Sequence, residues 1–140
     1  MTDLKKVFVD SNILIYLIDD SAAHKKKIVG ELLNPDFIIS TQVISENVSV
    51  CLKKLKLDKQ TTFDFAKRLL KRFQTVIITP EVLLNSFEIS VKYQVSSWDA
   101  IILSTALNTN CTILYSEDMQ DGLVVEKVLT IVNPFTSVPK

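Results

Sequence analysis

Apolar positions along this chain follow two alternating patterns, which together predict strands interleaved with helices. Short β-branched runs predict strands at Lys6–Asp10, Phe37–Ser40, Val76–Ile78, Thr112–Tyr115 and Val128–Val132. Stretches with helical spacing predict helices at Asn12–Ile18, around His24–Leu33, after Thr41, at roughly Asp58–Phe73, from Thr79-Pro80 onward, and from Ser96 or Ser97 to about Leu107. Alternation of this kind favours an α/β sandwich around a mostly parallel sheet.

Local signals indicate how several of these helices begin and which face they bury. Thr41 is predicted to cap a helix whose apolar side chains recur at helical spacing: Ile44, Val48, Cys51, Leu52 and Leu55. Pro80 stands at a favoured early position of its helix. The helix over Asp58–Phe73 is expected to turn its bases outward and its large apolar residues inward, namely Phe65, Leu69 and Phe73.

Composition predicts one domain, residues 1–140, with a core of its own. Of the 140 residues, 47% are hydrophobic and 23% are charged, and the sequence shows no repeat or low-complexity stretch. Cys51 and Cys111 stand apart in apolar surroundings, so we expect reduced thiols packed as small hydrophobes. The N-terminal apolar runs, Val7–Val9 and Ile13–Ile18, are too short to span a membrane, which predicts a cytoplasmic protein.

A net charge of zero hides a basic segment and an acidic one. Residues 53–72 carry eight bases and two acids, a net of +6, whereas residues 73–126 carry one base and seven acids, a net of −6. This asymmetry suits a protein that binds metal on one side and a polyanion on the other.

Four acids far apart in the sequence are expected to meet at one edge of the sheet. Asp10 ends the first predicted strand, and Asp118 lies just beyond the strand Thr112–Tyr115. Glu46 and Asp99 fall in the first turns of helices, and in parallel sheets such turns share an edge with the carboxyl ends of the strands. Crowded carboxylates repel one another, and a divalent cation is their natural counterweight. Oxygen ligands without His or Cys indicate Mg²⁺ or Mn²⁺.

Each acid taken alone also has a purely structural explanation. Asp10 or Asn12 can cap the helix that begins there. Ser96 and Asp99 have the spacing of a capping box. Glu46 can be an ordinary solvated helix residue, and the segment from Asp118 to Gly122 can be a polar turn. Their joint placement on the strand–helix frame favours a shared site.

The segments that carry these acids resemble the motifs of the PIN-domain family, in particular the VapC-like toxins of toxin–antitoxin systems. The similar segments are Val7–Leu14 around Asp10, Ser40–Glu46, Ser97–Ala106 around Asp99, and Ile113–Gly122, in which Ser116-Glu117-Asp118 matches a Ser/Thr-x-Asp pattern. The resemblance spans nearly the whole chain in order, and its first and third motifs are the more specific.

The resemblance implies a three-layer α/β/α sandwich and Mg²⁺- or Mn²⁺-dependent hydrolysis of RNA by metal-activated water. It implies metal bound by Asp10, Asp99 and Asp118, with Glu46 binding directly or through water. Asn12 and Ser116 would support the acids, and Glu117 and Asp121 are alternatives to Asp118. It further implies a cognate antitoxin, homodimers, and tRNA or ribosomal RNA as substrate.

Other residues narrow the choice of function. His24 is the only histidine, beside three lysines, which excludes a two-histidine ribonuclease and predicts a solvated residue. No glycine-rich phosphate loop exists. Trp98 is expected to anchor the core, with stacking on a base as the alternative. The apolar surplus of Ile13–Ile18 suggests a surface for a second copy or an antitoxin.

The basic segment has two interpretations. Its bases can contact RNA phosphates, or they can form an ordinary solvated helix face. The residues concerned are Lys53, Lys54, Lys67, Arg68, Lys71 and Arg72.

Two other classes of function stay open at this point. A haloacid-dehalogenase-like phosphohydrolase also places an Asp after its first strand, but it usually has Asp-x-Asp where this chain has Asp10-Ser11-Asn12. A PIN-fold binding module without catalysis would keep the fold and the partners, and only an activity assay separates it from a nuclease.

Overall fold

The computed structural model describes residues 5–136, and its secondary structure follows the predicted order. Six strands are β1 Val7–Val9, β2 Ile38–Ser40, β3 Gln74–Val76, β4 Ile113–Tyr115, β5 Val124–Val125 and β6 Leu129–Val132. The α-helices are α1 Ser11–Leu14, α2 Ala23–Leu32, α3 Thr41–Lys53, α4 Lys59–Arg72, α5 Pro80–Tyr93 and α6 Ser97–Asn108. A 3₁₀ turn over Ile15–Leu17 extends α1, which together with it matches the predicted helix Asn12–Ile18.

The sheet has the strand order β3-β2-β1-β4-β6-β5. Strands β3, β2, β1, β4 and β6 are parallel, and β5 pairs antiparallel with β6 at the edge. In the centre Phe8 of β1 pairs with Ile38 on one side and with Leu114 on the other. The expected three-layer α/β/α sandwich with a mostly parallel sheet is therefore confirmed.

Burial of β1 on both faces explains why its sequence shows no polar alternation. Its three residues are all buried, although successive side chains of a strand point to opposite faces. The helix pairs that pack together are α3 with α4 and α5 with α6, while α1 packs on α3. The helical residues predicted to face inward, Phe65, Leu69 and Phe73, are buried as expected.

The third strand lies two residues earlier than predicted. Val76–Ile78 has the stronger β propensity, but pairing with β2 aligns Ile38 with Gln74 and Ser40 with Val76. Ile77 lies outside the strand and is 70% exposed. Pairing with β2 set the position of β3, because the strand propensity of a segment depends strongly on the strands beside it.

Two features at element boundaries also differ from the prediction. Ser40, rather than Thr41, caps α3, because its Oγ accepts a hydrogen bond from the backbone N–H of Val43 at 3.3 Å. Of the β5–β6 hairpin only the second strand was predicted, as Val128–Val132, and it is observed at Leu129–Val132. The first two residues of its turn, Glu126 and Lys127, have φ of 51° and 60°, values at which glycine or asparagine is the usual signal.

The remaining predictions about burial are partly right. Cys51 and Cys111 are buried free thiols, and His24 is exposed. The Ile13–Ile18 segment is not an open apolar surface: Ile13, Leu14 and Ile15 are in the core, and the rest pack against it. Among residues 5–136, no helix is long and apolar enough to cross a membrane.

Candidate active site

Asp10 is a buried carboxylate at the carboxyl end of β1, with 5% of the residue exposed. Its Oδ1 accepts a hydrogen bond from the N–H of Ser11 at 2.7 Å, so Asp10 is also the N-cap of α1. Its Oδ2 accepts hydrogen bonds from Ser116 Oγ at 2.9 Å and from Asn12 Nδ2 at 3.4 Å. Groups from two neighbouring strand ends thus orient this carboxylate.

The environment of Asp10 disfavours its charge. Burial, with smaller contributions from the charges of Glu46 and Asp99, raises the pKa of Asp10 to about 7 against the opposing hydrogen bonds from Ser116 and Ser11. A buried acid with a strongly raised pKa is a typical feature of functional sites.

Glu46 lies in the second turn of α3 and is half-buried. Its Oε1 accepts a hydrogen bond from Ser11 Oγ at 3.1 Å, and Ser11 Oγ also lies 3.4 Å from Asp10 Oδ1. Burial raises the pKa of Glu46, as does the charge of Asp99, while hydrogen bonds from Ser11 and Gln42 oppose the shift. Ser11 therefore connects the first two acids, a role that the sequence did not reveal.

Asp99 lies in the first turn of α6, which follows α5 rather than a strand. Ser96 Oγ accepts a hydrogen bond from the N–H of Asp99 at 3.1 Å, so half of the predicted capping box exists. Burial raises the pKa of Asp99, and the charge of Asp118 raises it further. Since Asp99 also raises the pKa of Asp10 and of Glu46, it lies within electrostatic range of each of the other three acids.

The three acids of the loop after β4 differ in their hydrogen-bond partners. Glu117 accepts a 2.6 Å hydrogen bond from Tyr16 Oη and forms an ion pair with Lys25. Asp121 accepts hydrogen bonds from the N–H of Asn133 at 2.8 Å and from Thr136. Asp118 is exposed, and its carboxylate has no hydrogen-bond partner within residues 5–136. Asp118 is thus the acid of this loop that is open to a ligand.

Asn12 and Ser116 connect the two strand ends that carry the acids. Asn12 Oδ1 accepts a hydrogen bond from the N–H of Glu117 at 3.1 Å, and Asn12 Nδ2 lies 3.4 Å from Ser116 Oγ. These contacts join the start of α1 to the loop after β4, across neighbouring parallel strands. These hydrogen bonds hold the Asp10 carboxylate and the loop after β4 in fixed positions relative to each other.

A cleft of about 520 Å³ opens beside these side chains. Glu46 and Asp118 line it together with Ser11, Asn12, Tyr16 and Lys54. Lys54 places one base of the basic segment beside the acids. The other predicted bases, Lys53, Lys67, Arg68, Lys71 and Arg72, are exposed, but they are not among the residues that line the cleft.

The donor set suits a hard divalent cation, although the acids are not drawn together into a finished cage. Within residues 5–136, no three Asp, Glu, His or Cys side chains are arranged to coordinate one ion as they stand. Mg²⁺ usually keeps several waters and needs only one or two carboxylates besides substrate phosphate. Burial is the main cause of the raised pKa values of Asp10, Glu46 and Asp99, and the charges of neighbouring acids add to it. A bound cation would stabilise these carboxylates in their charged form.

Several side chains that hold parts of the site in place were not predicted from the sequence, and one residue, Trp98, was predicted to lie in the wrong environment. Tyr16 and Lys25 hold Glu117, and Gln42 donates a hydrogen bond from Nε2 to the carbonyl oxygen of Trp98 at 3.2 Å. These side chains carry no motif, since their roles depend on contacts between distant elements. Trp98 is not a core anchor: it is 65% exposed at the start of α6.

Comparison with known proteins agrees with this architecture. The family model described as "PIN domain" matches residues 7–120. No curated protein matches the chain at a significant level.

Solved structures of toxin–antitoxin proteins share the fold. A toxin–antitoxin complex from Klebsiella pneumoniae is 25% identical, with a TM-score of 0.68, over 92% of this chain and 98% of that one. DNA-bound VapBC from Salmonella typhimurium is 14% identical, with a TM-score of 0.68, over 91% and 97%. Mycobacterium tuberculosis VapC20, described as a Sarcin-Ricin loop cleaving toxin, is 18% identical, with a TM-score of 0.65, over 81% and 90%. With its family match and its fold, the chain belongs to the PIN domain family.

Proposed function

We propose that this chain is a Mg²⁺- or Mn²⁺-dependent endoribonuclease and the toxin of a type II toxin–antitoxin pair. The observation that carries the proposal is a group of four acids, Asp10, Glu46, Asp99 and Asp118: Asp99 lies within electrostatic range of the other three, and Glu46 and Asp118 line one cleft. Burying several carboxylates near one another costs free energy, and binding of a cation and a phosphodiester would give the protein a use for that arrangement.

Each residue has a distinct role in the proposed reaction. Asp10, Asp99 and Asp118 hold the divalent cation, with Glu46 binding directly or through water. When bound, the cation supplies an activated water and charge stabilisation at the scissile phosphate. Ser11, Asn12 and Ser116 keep the carboxylates of Asp10 and Glu46 in place through their hydrogen bonds. Hydrolysis would break the P–O3′ bond and leave a 5′-phosphate and a 3′-hydroxyl.

Substrate and partners follow from the relatives and belong to the same proposal. The Mycobacterium tuberculosis protein is a ribosomal-loop-cleaving toxin by its description, and the Klebsiella pneumoniae structure is a toxin–antitoxin complex. For this chain we propose tRNA or ribosomal RNA as substrate, a cognate antitoxin, and a homodimer in the cytoplasm. Exposed apolar side chains on α5 offer a surface for assembly: Leu84, Phe87 and Val91.

The direct test is cleavage of cellular RNA by the purified chain, with end mapping of the products. We expect cleavage with Mg²⁺ or Mn²⁺, loss of cleavage with EDTA, and a rate more than about 100-fold lower for Asp10→Asn, because even residues that only support metal ligands usually contribute 10- to 100-fold. Asp36→Asn, which changes an exposed acid in the segment before β2, is the matched control and should keep full activity.

The outcomes separate the remaining alternatives. Undiminished cleavage by Asp10→Asn, or in EDTA, would overturn the mechanism. RNA binding without any cleavage would favour the catalytically silent binding module, an alternative consistent with acids that are not gathered into a finished cage. The haloacid-dehalogenase-like alternative is set aside, because the chain belongs to the PIN domain family.

A further inference from the structure

A second, more apolar groove adjoins the acidic cleft. It has a volume of about 360 Å³, within the usual range of small-molecule sites. Ile78, Leu83, Trp98 and Ile101 line it, together with Gln42 and Ser45 of α3. The cleft and the groove share α3, since Glu46 and Ser49 line the cleft on the same helix.

Trp98 is the most distinctive part of this groove. Its indole is 65% exposed, although a tryptophan at the start of a helix beside apolar neighbours would ordinarily be packed inside. Its backbone is fixed, because its carbonyl oxygen accepts a hydrogen bond from Gln42 Nε2 at 3.2 Å. The next residue in α6 is Asp99, so the ring and a proposed metal ligand belong to the same helical turn.

Gln42 connects the groove to the acids and leaves one polar atom unused. Gln42 lies one helical turn before Glu46 on α3, so it stands where the groove lined by Gln42 and the cleft lined by Glu46 meet. Gln42 Oε1 is buried and has no donor within residues 5–136. An unpaired buried acceptor costs free energy until a donor arrives, and nucleobases carry amino and imino donors.

From these observations we infer that the groove is a subsite for one unpaired nucleobase, which stacks on Trp98 while the adjoining phosphate lies at the acids. The inference rests on the proposed nuclease function and deepens it, because it selects single-stranded segments of RNA over paired ones. A base inside a duplex cannot present its face to an aromatic ring, whereas a base in a loop can be splayed out and stacked. A second copy of the chain covering the groove is the competing occupant.

The chain itself supplies the probe, because Trp98 is its only tryptophan. With Asp10→Asn protein, which prevents turnover, we expect a short unstructured RNA oligonucleotide to quench the indole fluorescence and a fully paired RNA duplex to leave it unchanged. Adding Trp98→Ala should weaken binding of the oligonucleotide by about 5- to 150-fold, the range that one base–aromatic stack usually contributes. Trp98→Phe should bind within about fivefold of the parent.

Val128→Ala is the control, since it removes an exposed apolar side chain (51%) just before β6 that lines neither the groove nor the acidic cleft, and it should bind normally. Equal affinity of the Trp98→Ala protein and its parent would overturn the subsite, and so would fluorescence that depends on protein concentration without RNA, which would place the ring between two copies. Failure of the unaltered chain to cleave RNA, with quenching intact, would instead overturn the nuclease proposal.

Discussion

At the scale of single residues, Asp10 shows that a structural and a functional explanation can hold together. The sequence left open whether this acid caps a helix or serves a site. Its Oδ1 accepts the N–H of Ser11 and so caps α1, while its Oδ2 is oriented by Ser116. The cap fixes the carboxylate, and burial then gives it a raised pKa of about 7.

This raised pKa predicts that the metal-free chain loses stability as the pH rises. The folded state keeps the proton of Asp10 up to about pH 7, whereas the unfolded state releases it near the ordinary value of 3.8. The free energy of unfolding should therefore fall between about pH 4 and pH 7, by as much as ~4 kcal/mol from this residue. Urea denaturation in EDTA at pH 5 and pH 8 measures the change.

Asp10→Asn is the comparison for that measurement. It should flatten the pH dependence and be about 2–4 kcal/mol more stable than the parent at pH 8 without metal. The slope should not vanish, because the pKa values of Glu46 and Asp99 are raised in the same direction. Parallel pH profiles for the two proteins would contradict the assignment of Asp10 as the buried charge.

At the scale of elements, the start of α3 directly after β2 brings Glu46, in the second turn of the helix, to the site. This helix begins directly after β2, and Ser40 belongs to the strand and caps the helix at once. The sequence placed the cap one residue late, because Thr41 is an equally good capping residue by type. The backbone decides between them: Ser40 has the extended conformation of a cap, and Thr41 is the first helical residue.

Ser40→Ala should therefore lower the free energy of unfolding by about 1 kcal/mol, the usual contribution of an N-cap side chain. Thr41→Ala is the matched control and should change the stability by no more than about 0.5 kcal/mol, as expected of an exposed site away from such features. Thermal or urea unfolding of both variants decides the point. A larger loss for Thr41→Ala would mean that the cap is wrongly assigned.

At the scale of the whole molecule, the two segments of opposite charge occupy different parts of the surface. The bases of residues 53–72 are exposed on α4 and around the end of α3. The acids of residues 73–126 are divided between the loop after β4 and the start of α6, where the site lies, and α5 and the β5–β6 turn. Lys54 lines the cleft of the acids and so links the two regions. An RNA backbone could cross from one region to the other.

Reversal of the α4 bases tests this path. If Lys67, Arg68, Lys71 and Arg72 contact phosphates, changing all four to glutamate should weaken RNA binding and make the slope of log K against log salt shallower, by about one for each lost contact. Reversing four exposed lysines elsewhere is the matched control for net charge: Lys5, Lys6, Lys27 and Lys127. Equal effects of the two sets would favour a merely solvated helix face.

The sequence by itself determined the order of strands and helices, the sandwich around a parallel sheet, and the positions of Asp10, Glu46 and Asp118 relative to strand ends. These features follow from apolar periodicity and from neighbours in the chain, both of which can be read locally. The strand-end argument also named Asp99, but its premise does not hold there, because α6 follows α5 and not a strand. The resemblance to the third PIN motif is what supports this acid.

Tertiary structure alone decided the rest. The carboxylate of Glu117 is bound by Lys25 and Tyr16, and that of Asp121 is bound by Asn133 and Thr136. Asp118 is therefore the acid of this loop that stays open to a ligand. Pairing with β2 set the register of β3, and packing of the neighbouring helices left Trp98 exposed beside Asp99. Each of these outcomes depends on which distant groups come into contact, a property of the folded chain that no local pattern contains.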